Sequence, residues 1–257
     1  MNGYAVFGAY FSPSGTTESG IKHLSSILST DPQFLNLLHQ DSIKTQFHSD
    51  DVLIVGVPVF SGRVPTPCID ILTSMQGTNT PAIAVAVYGN RDYDDALLEL
   101  KTILEKQGFC VFAAAAVVAQ HSIFPSVAAG RPDKQDFEML TRFAVRCKEN
   151  LATLNPVDDI SICVKGNTSY RKIVSVPIKP SANATCNACG LCARLCPVHA
   201  IEIAHPKKTK KDVCISCTAC IAACPQHARN FPKPAHTLAA KVFEKKFSAR
   251  KEPEFFI

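Results

Sequence analysis

The first 155 residues alternate short apolar runs with amphipathic segments. The two most continuous apolar runs, 51–57 and 81–88, are typical of central strands that are covered on both faces. Other segments repeat apolar residues every three or four positions, which predicts helices. We predict strands at 4–11, 34–38, 51–57, 81–88 and 109–119, and helices at 15–28, 92–107 and 133–154. This alternation predicts an α/β domain over residues 1–155 with a doubly wound, five-stranded parallel sheet.

The pattern changes after residue 155. Residues 156–183 hold three prolines and no helical period, so we predict a linker, with a hairpin at 165–172 and a short strand at 172–176. Residues 184–230 contain an internal repeat and predict a second, small α+β domain. Residues 231–257 form a basic tail with spaced phenylalanines, which we expect to pack back on the body.

The internal repeat consists of CNACGLCARLCPVHA (186–200) and CISCTACIAACPQHA (214–228), each with the spacing C-x-x-C-x-x-C-x-x-x-C-P. Eight of the 12 cysteines lie in these two copies, and such local clustering indicates metal binding rather than disulfides. Three cysteines at intervals of three fit one iron–sulfur cube, whereas the fourth reaches the other cluster. We therefore predict two [4Fe–4S] clusters, the first held by Cys186, Cys189, Cys192 and Cys224 and the second by Cys214, Cys217, Cys220 and Cys196.

Tetrahedral zinc is the alternative for a cysteine-rich segment. Four-thiolate zinc sites use two C-x-x-C pairs with a longer spacer, and a third cysteine at the same spacing has no use there. The repeat resembles bacterial-type ferredoxins with two [4Fe–4S] clusters, which implies single-electron transfer at low potential. We expect His199 and His227, which stand at equivalent places in the two copies, to be solvated rather than ligands.

Three loops follow predicted strands at 12–17, 58–63 and 88–93. Ligands of doubly wound sheets bind at the carboxyl ends of strands, so we expect these loops to form a binding site. The first loop, Ser-Pro-Ser-Gly-Thr-Thr, opens a predicted helix and suits a phosphate, although a helix cap without a ligand is the alternative. The absence of a G-x-G-x-x-G motif argues against a dinucleotide.

Together the three loops resemble the flavin-mononucleotide (FMN) loops of flavodoxins. The resemblance implies that Ser12, Ser14, Gly15, Thr16 and Thr17 hold the phosphate. It also implies that the ring lies between Pro58, Phe60, Ser61 and Gly62 on one edge and Tyr88, Gly89, Asn90 and Tyr93 on the other. The chain has no tryptophan, so Phe60, Tyr88 or Tyr93 would have to stack on the ring. Tyr93 has an alternative as a core residue of its predicted helix.

Two further residues are candidates outside these loops. His121 ends the fifth predicted strand and is our candidate catalytic residue, because an imidazole can hydrogen-bond a flavin or transfer a proton near neutral pH. A structural cap is the alternative for His121. We expect Arg131, which precedes the last predicted helix, to be a clamp between the two domains.

The charge is unevenly distributed. Residues 1–155 carry 11 Lys and Arg against 15 Asp and Glu, whereas residues 156–257 carry 16 against 7. Cluster thiolates and a flavin phosphate would offset the basic half, so we expect no nucleic-acid binding and interpret the basic run 206–211 as a solvated loop. The opposite charges of the two halves favour docking of the flavin near a cluster. The apolar runs are too short for a bilayer and no export signal is apparent, so we expect no membrane span and a cytoplasmic protein.

The whole chain resembles the flavodoxin–ferredoxin fusion proteins found mainly in anaerobes. The resemblance implies electron transfer between two [4Fe–4S] clusters and FMN, in either direction, on behalf of a redox partner protein. Two alternatives stay open at this point. One is a flavin-dependent reductase of a quinone, disulfide or nitro compound, with His121 as proton donor. The other is a redox-sensing interaction module, and the sequence also leaves a homodimer open.

Overall fold

The computed structural model describes residues 4–38, 44–153 and 162–257. Its strands are β1 (Ala5–Tyr10), β2 (Gln33–Asn36), β3 (Gln46–Phe47), β4 (Asp51–Pro58), β5 (Gln76–Gly77), β6 (Thr80–Tyr88), β7 (Phe109–Val118), β8 (Ser181–Ala182), β9 (Arg229–Asn230) and β10 (Glu254–Phe256). Its helices are α1 (Thr16–Leu28), α2 (Thr66–Ser74), α3 (Ala96–Lys106), α4 (Lys134–Thr153), α5 (Leu191–Arg194), α6 (Ala219–Ala222) and α7 (Lys233–Phe247).

The main sheet has the strand order β10-β7-β6-β4-β1-β2. The five strands β2, β1, β4, β6 and β7 are all parallel, and their order is that of the flavodoxin-like doubly wound fold. The fold class predicted from the sequence is thereby confirmed. A sixth strand was not predicted: β10 pairs antiparallel with β7, with Phe255 opposite Ala115.

Successive side chains of each strand point to opposite faces of the sheet, and both faces are covered. Val6 of β1 lies in the core with α1 and α4, whereas the next residue, Phe7, lies in the core with α2 and α3. The central strands β4 and β6 are buried along almost their whole length. This is why their sequences are continuously apolar rather than alternating.

Several predicted elements differ from those observed. The helix predicted from residue 92 begins only at Ala96, because Asp94 has a left-handed φ of 44° that does not fit a right-handed helix. The side chain of Asp95, next to the helix start, accepts hydrogen bonds from the backbone N–H groups of Asn167 (2.9 Å) and Arg171 (2.8 Å). The strand predicted at 172–176 and the hairpin at 165–172 are not formed, since residues 162–180 contain no regular element. Helices α2 and α7 were not predicted. The first part of the predicted linker, residues 156–161, and residue 154 of the last predicted helix lie outside the described residues.

Residues 181–230, which we call the cysteine domain, are opened by β8 and closed by β9, and these two strands pair antiparallel. The two copies of the repeat share one backbone course. The short helices α5 and α6 occupy equivalent positions, and each follows a left-handed residue, Gly190 (φ 74°) and Thr218 (φ 69°). Left-handed backbone also recurs at the equivalent pair His199 and His227. The duplication seen in the sequence is therefore also a duplication of structure.

Two segments join the cysteine domain to the sheet. The connecting segment, residues 162–180, precedes it, and the C-terminal segment, residues 231–257, follows it. The connecting segment is held to the sheet domain by its hydrogen bonds to Asp95. The second contributes α7 and the added strand β10. The cysteine domain is thus attached to the sheet domain on both of its sides.

Candidate cofactor sites

A cavity of about 560 Å³ lies at the carboxyl end of the parallel sheet. The loops that follow β1, β4, β6 and β7 form one side of it. The other side is formed by residues 173–176 of the connecting segment and residues 212–217 of the cysteine domain. Its volume lies within the range of about 300–1,000 Å³ that is usual for small-molecule and cofactor sites. The cavity is therefore enclosed between the two domains.

The predicted phosphate loop contributes only part of its residues to the cavity. Ser14 and Thr16 line it, and their hydroxyl oxygens lie 3.3 Å apart. Gly15 between them has a left-handed φ of 87° that a glycine adopts without strain. Ser12 caps the helix instead, because its Oγ accepts the backbone N–H of Glu18 at 2.9 Å. Thr17 is buried beneath the loop.

The next two loops bring most of their predicted residues to the cavity. Its lining includes Pro58, Phe60, Ser61, Gly62, Tyr88 and Gly89. A side chain at Gly89 is sterically excluded, since a Cβ there would lie 2.6 Å from Cδ2 of His121. A Cβ at Gly62 would likewise collide with the carboxylate of Asp94. Both glycines let a loop pass close to its neighbours at the cavity.

Asn90 and Tyr93, predicted to flank a flavin, do not line the cavity and instead hold the C-terminal segment. The amide nitrogen of Asn90 donates to the carbonyl oxygens of Phe247 (2.7 Å) and Ala249 (2.8 Å). The hydroxyl of Tyr93 donates to Glu254 of β10 at 2.7 Å. These partners lie more than 150 positions along the chain, which is why the loop sequence did not reveal this role.

His121 lines the cavity, and one of its ring nitrogens is bonded to its own loop. Its Nδ1 accepts the backbone N–H groups of Ile123 (3.2 Å) and Phe124 (3.1 Å), so a neutral ring carries its proton on Nε2. Burial lowers the pKa of His121 to about 4. The imidazole is therefore neutral at pH 7 and caps its own loop. These hydrogen bonds support the structural alternative for His121, a cap of its own loop, and the catalytic role stays a prediction.

Aromatic side chains that the loop motifs did not indicate form part of the cavity wall. Phe124, after β7, and Phe243 of α7 both line it, with ring centroids 4.9 Å apart. Phe243 also packs edge-on against His121 at 4.7 Å. The only sequence signal for this wall was the spacing of phenylalanines in the tail. Helix α7 therefore takes part in shaping the cavity.

The connecting segment is fastened to the cavity loops by polar contacts. Ser61 Oγ donates to the carbonyl oxygen of Val174 at 2.7 Å, and Arg63 donates to that of Arg171 at 2.7 Å. The Arg171 guanidinium also forms an ion pair with Asp94 at 2.6 Å. These contacts hold the segment over the cavity, although no motif marked its residues.

Lys179 links the connecting segment to the cysteine domain at the cavity wall. Its buried ammonium donates to the carbonyl oxygen of Cys214 at 2.6 Å and to the hydroxyls of Ser216 (3.2 Å) and Ser175 (3.1 Å). Arg131, predicted as a clamp between domains, has a different partner. It pairs with the buried Asp136 and donates to the carbonyl oxygen of Lys251 at 2.6 Å, so it holds the C-terminal segment.

The thiols of the second copy lie close to a thiol of the first. The pKa of Cys217 is raised to about 12, chiefly by burial and to a smaller extent by the thiols of Cys220, Cys196 and Cys214. Cys196 of the first copy is thus near enough to Cys217 of the second copy to influence its thiol. Among the described residues, no three His, Cys, Asp or Glu side chains converge as ligands of a single ion.

Backbone N–H groups point at cysteine sulfurs in the same way in both copies. The N–H of Ala200 donates to Sγ of Cys196 at 3.2 Å, and that of Ala228 donates to Sγ of Cys224 at 3.3 Å. Such donors stabilise thiolates, which are the form that ligates iron. The side chains of His199 and His227 are exposed. The donor set and its repeated backbone therefore fit iron–sulfur clusters.

Comparison with known proteins identifies one part of the chain by sequence. Residues 185–228 match the family model of 4Fe-4S dicluster domains. No curated protein sequence matches the chain significantly.

Three solved structures with similar folds each cover somewhat more than half of this chain. A flavodoxin from the domain Archaea is 14% identical, covers 58% of this chain and 99% of its own, and has a TM-score of 0.44. A flavodiiron core, Flv1 of Synechocystis sp. PCC6803, is 14% identical over 59% of this chain and 37% of its own, with a TM-score of 0.41. A short-chain flavodoxin associated with a PDU bacterial microcompartment is 16% identical over 58% of this chain and 97% of its own, also at 0.41.

The strand order and the family match define the class of this protein. It is a fusion of a flavodoxin-like domain with a 4Fe-4S dicluster domain. Because 4Fe-4S dicluster domains carry electrons, the chain has an electron-transfer role. None of the helices in the described ranges combines the length and apolar character needed to cross a membrane.

Proposed function

We propose that this protein transfers electrons between two [4Fe–4S] clusters and FMN within one chain. The observation that carries the proposal is the shared cavity, since its lining combines the flavodoxin-type loops with Cys214 and Cys217 of the cysteine repeat. A ligand in this cavity would touch the wall that holds two cluster ligands. The ligand sets are those predicted from the spacing of the repeat.

The residues at the cavity fit FMN. Ser14 and Thr16 at the start of α1 would hold the phosphate, and Phe60, Gly62 and Gly89 would border the ring. When bound, FMN takes up two electrons, whereas each cluster carries one. The protein's own contribution is to fix the distance between the cofactors and to exclude water with Phe124 and Phe243.

The cavity lining also supports an order of the two clusters relative to the flavin. Cys214 and Cys217 of the second ligand set line the cavity, and none of the cysteines of the first set does. Cys189 of the first set is instead exposed to solvent. We therefore place the second cluster next to the flavin and the first cluster outside it, where an external redox partner would exchange electrons.

A pair of matched variants tests this order in the full-length protein, reconstituted without oxygen. The wild type should hold about eight irons and one FMN. Cys189→Ser should lose the outer cluster and Cys217→Ser the inner cluster, so that each variant holds about four irons. Laser-flash photoreduction of the bound FMN, with a sacrificial electron donor in solution as the reductant, then reports electron arrival through the bleaching of cluster absorbance.

We expect bleaching in Cys189→Ser at the wild-type rate and bleaching in Cys217→Ser at least tenfold more slowly. The reverse result would exclude the proposed order. Wild-type protein that holds both kinds of cofactor but shows no bleaching would exclude the proposed function. The reductase alternative needs a proton donor such as His121, and Nδ1 of that ring is bonded to its own loop.

A further inference from the structure

Arg229, at the end of the second cysteine copy, is a buried cation, with 1% of its surface exposed. Its Nη1 donates to the carbonyl oxygen of Pro206 at 2.6 Å, and its Nη2 donates to that of Pro180 at 3.2 Å and to the hydroxyl of Thr209. Its Nε has no hydrogen-bond partner among the described residues. Within the same residues, it forms no ion pair with a carboxylate. All of its oxygen partners are neutral.

A buried charge without an opposite charge is costly, because desolvation of an ion removes several kcal/mol of hydration energy. The repeat itself does not require this charge. The equivalent position of the first copy is Ile201, which is 5% exposed and packs as an ordinary apolar residue. The arginine therefore breaks the symmetry of the duplication at a buried site, and its charge calls for a negative partner.

The sulfurs around Arg229 supply such a partner. Nη1 lies 3.8 Å from Sγ of Cys192, which belongs to the first ligand set. Cys220, which belongs to the second set, lies in the same buried cluster as Cys192. Arg229 thus contacts a thiol of the first set at the buried cluster where the first set adjoins a thiol of the second.

We propose that Arg229 is a counter-charge shared by the two clusters and that it makes both of them easier to reduce. A cluster that accepts one electron from an external one-electron donor gains one negative charge, while no bond forms or breaks. A fixed cation at hydrogen-bonding distance stabilises this reduced state more than the oxidised state. The inference rests on the proposed function only for the presence of two clusters, and not for transfer to the flavin.

Anaerobic redox titration of the full-length protein, followed by EPR and optical spectra, tests the proposal. Arg229→Gln removes the charge but keeps hydrogen-bonding groups, and Arg229→Lys keeps the charge. Arg194→Gln is the matched control, because Arg194 is an exposed cation of the same domain that donates to the carbonyl oxygen of Cys189. Iron content is measured for each variant, so that only loaded protein is compared.

We expect Arg229→Gln to lower the equilibrium constant for one-electron reduction of both clusters at least tenfold, which is about 59 mV. Arg229→Lys and Arg194→Gln should stay within threefold of wild type. Unchanged constants in loaded Arg229→Gln would overturn the proposal. If Arg229→Gln assembles no clusters, Arg229→Lys decides, since a tenfold loss in a variant that keeps the charge would also overturn it. Wild-type protein without clusters would refute the proposed function instead.

Discussion

At the scale of single residues, Asn90 fastens the C-terminal segment to the loop that follows β6. Its side chain is buried and bonds three backbone groups of the C-terminal segment, two as donor and one, the N–H of Lys251 at 3.2 Å, as acceptor. Its left-handed φ of 61° is a conformation that asparagine adopts more readily than most residues. Asparagine therefore suits position 90 in two ways, through its backbone conformation and through its side-chain hydrogen bonds.

Replacement of Asn90 by alanine should destabilise the protein by about 3 kcal/mol, at about 1 kcal/mol for each lost hydrogen bond. Urea denaturation measures this loss, and limited proteolysis should show faster cleavage within residues 248–253. A weaker FMN affinity with unchanged protection of the segment would instead support the flavin contact expected from the sequence.

His121 leads to a prediction about pH. Its pKa is lowered by burial to about 4, below the ordinary value of about 6.5 in the unfolded chain, so protons bind preferentially to the unfolded state. Its stabilising contribution is complete above pH 6.5 and is lost as the pH falls towards 4. We expect a loss of about 2 kcal/mol between pH 7 and pH 5 that is specific to His121.

Denaturation of wild type and of His121→Gln at both pH values isolates this contribution. The variant should lack the pH-dependent part of the loss. His199→Gln, the same substitution at an exposed histidine, provides the control. An equal pH dependence in His121→Gln and wild type would contradict the buried, neutral state of His121.

At the scale of elements, β10 covers an edge of the sheet that would otherwise offer unpaired backbone groups of β7. The ring of Phe255 in this strand stacks on Phe143 of α4 at 4.8 Å. Phe255→Ala should therefore destabilise the protein by about 2 kcal/mol, since the ring is half-buried. Phe34 of the opposite edge strand β2 is 39% exposed and serves as the control.

Denaturant midpoints of the two variants test this difference. Phe34→Ala should change stability by less than about 0.5 kcal/mol, as is usual for surface positions. Phe255→Ala should in addition aggregate more readily when the β7 edge is uncovered. Equal midpoints for the two variants would mean that β10 contributes nothing to the sheet.

The elements that the sequence predicted are those whose burial is local and regular. β4 and β6 are apolar along their length because helices cover both faces, and α1 and α4 present clear apolar stripes. By contrast, no residue of α7 is fully buried, and β10 has only three residues. Neither leaves a periodic pattern that a sequence could show.

The same distinction applies to the candidate cofactor site. The loops at 58–62 and 88–89 could be found from sequence because parallel strands bring their carboxyl ends together. The wall formed by Lys179, Cys214 and Cys217 could not be found, since it depends on how two domains meet. Likewise, the functions of Asn90 and Tyr93 depend on partners in a distant segment.

At the scale of the whole molecule, the domains are held together by more than the attraction between an acidic and a basic half. Ser61, Arg63 and Asp95 make hydrogen bonds to the backbone of the connecting segment. Such short-range contacts are screened by salt much less than long-range attraction between exposed charges.

We therefore expect the rate of internal electron transfer to change less than about threefold between 0.05 and 0.5 M salt, measured by the same flash photoreduction. Transfer to an external charged partner protein provides the comparison, and its rate should depend strongly on salt. A tenfold fall in the internal rate would indicate that charge attraction, rather than the connecting segment, sets the distance between the domains.

The pairing of β8 with β9 places the first and last residues of the cysteine domain side by side, with Ser181 opposite Asn230. Antiparallel partners lie about 5 Å apart, a gap that one or two residues span. The cysteine domain could accordingly be deleted as one unit. If residues 181–230 were replaced by a short glycine bridge, α7 and β10 would stay in place on the sheet. A simple truncation before the first cysteine would strip away both, and with them the aromatic side of the cavity. Deletion of residues 181–230 is thus the appropriate way to prepare a flavodoxin-like domain without metal.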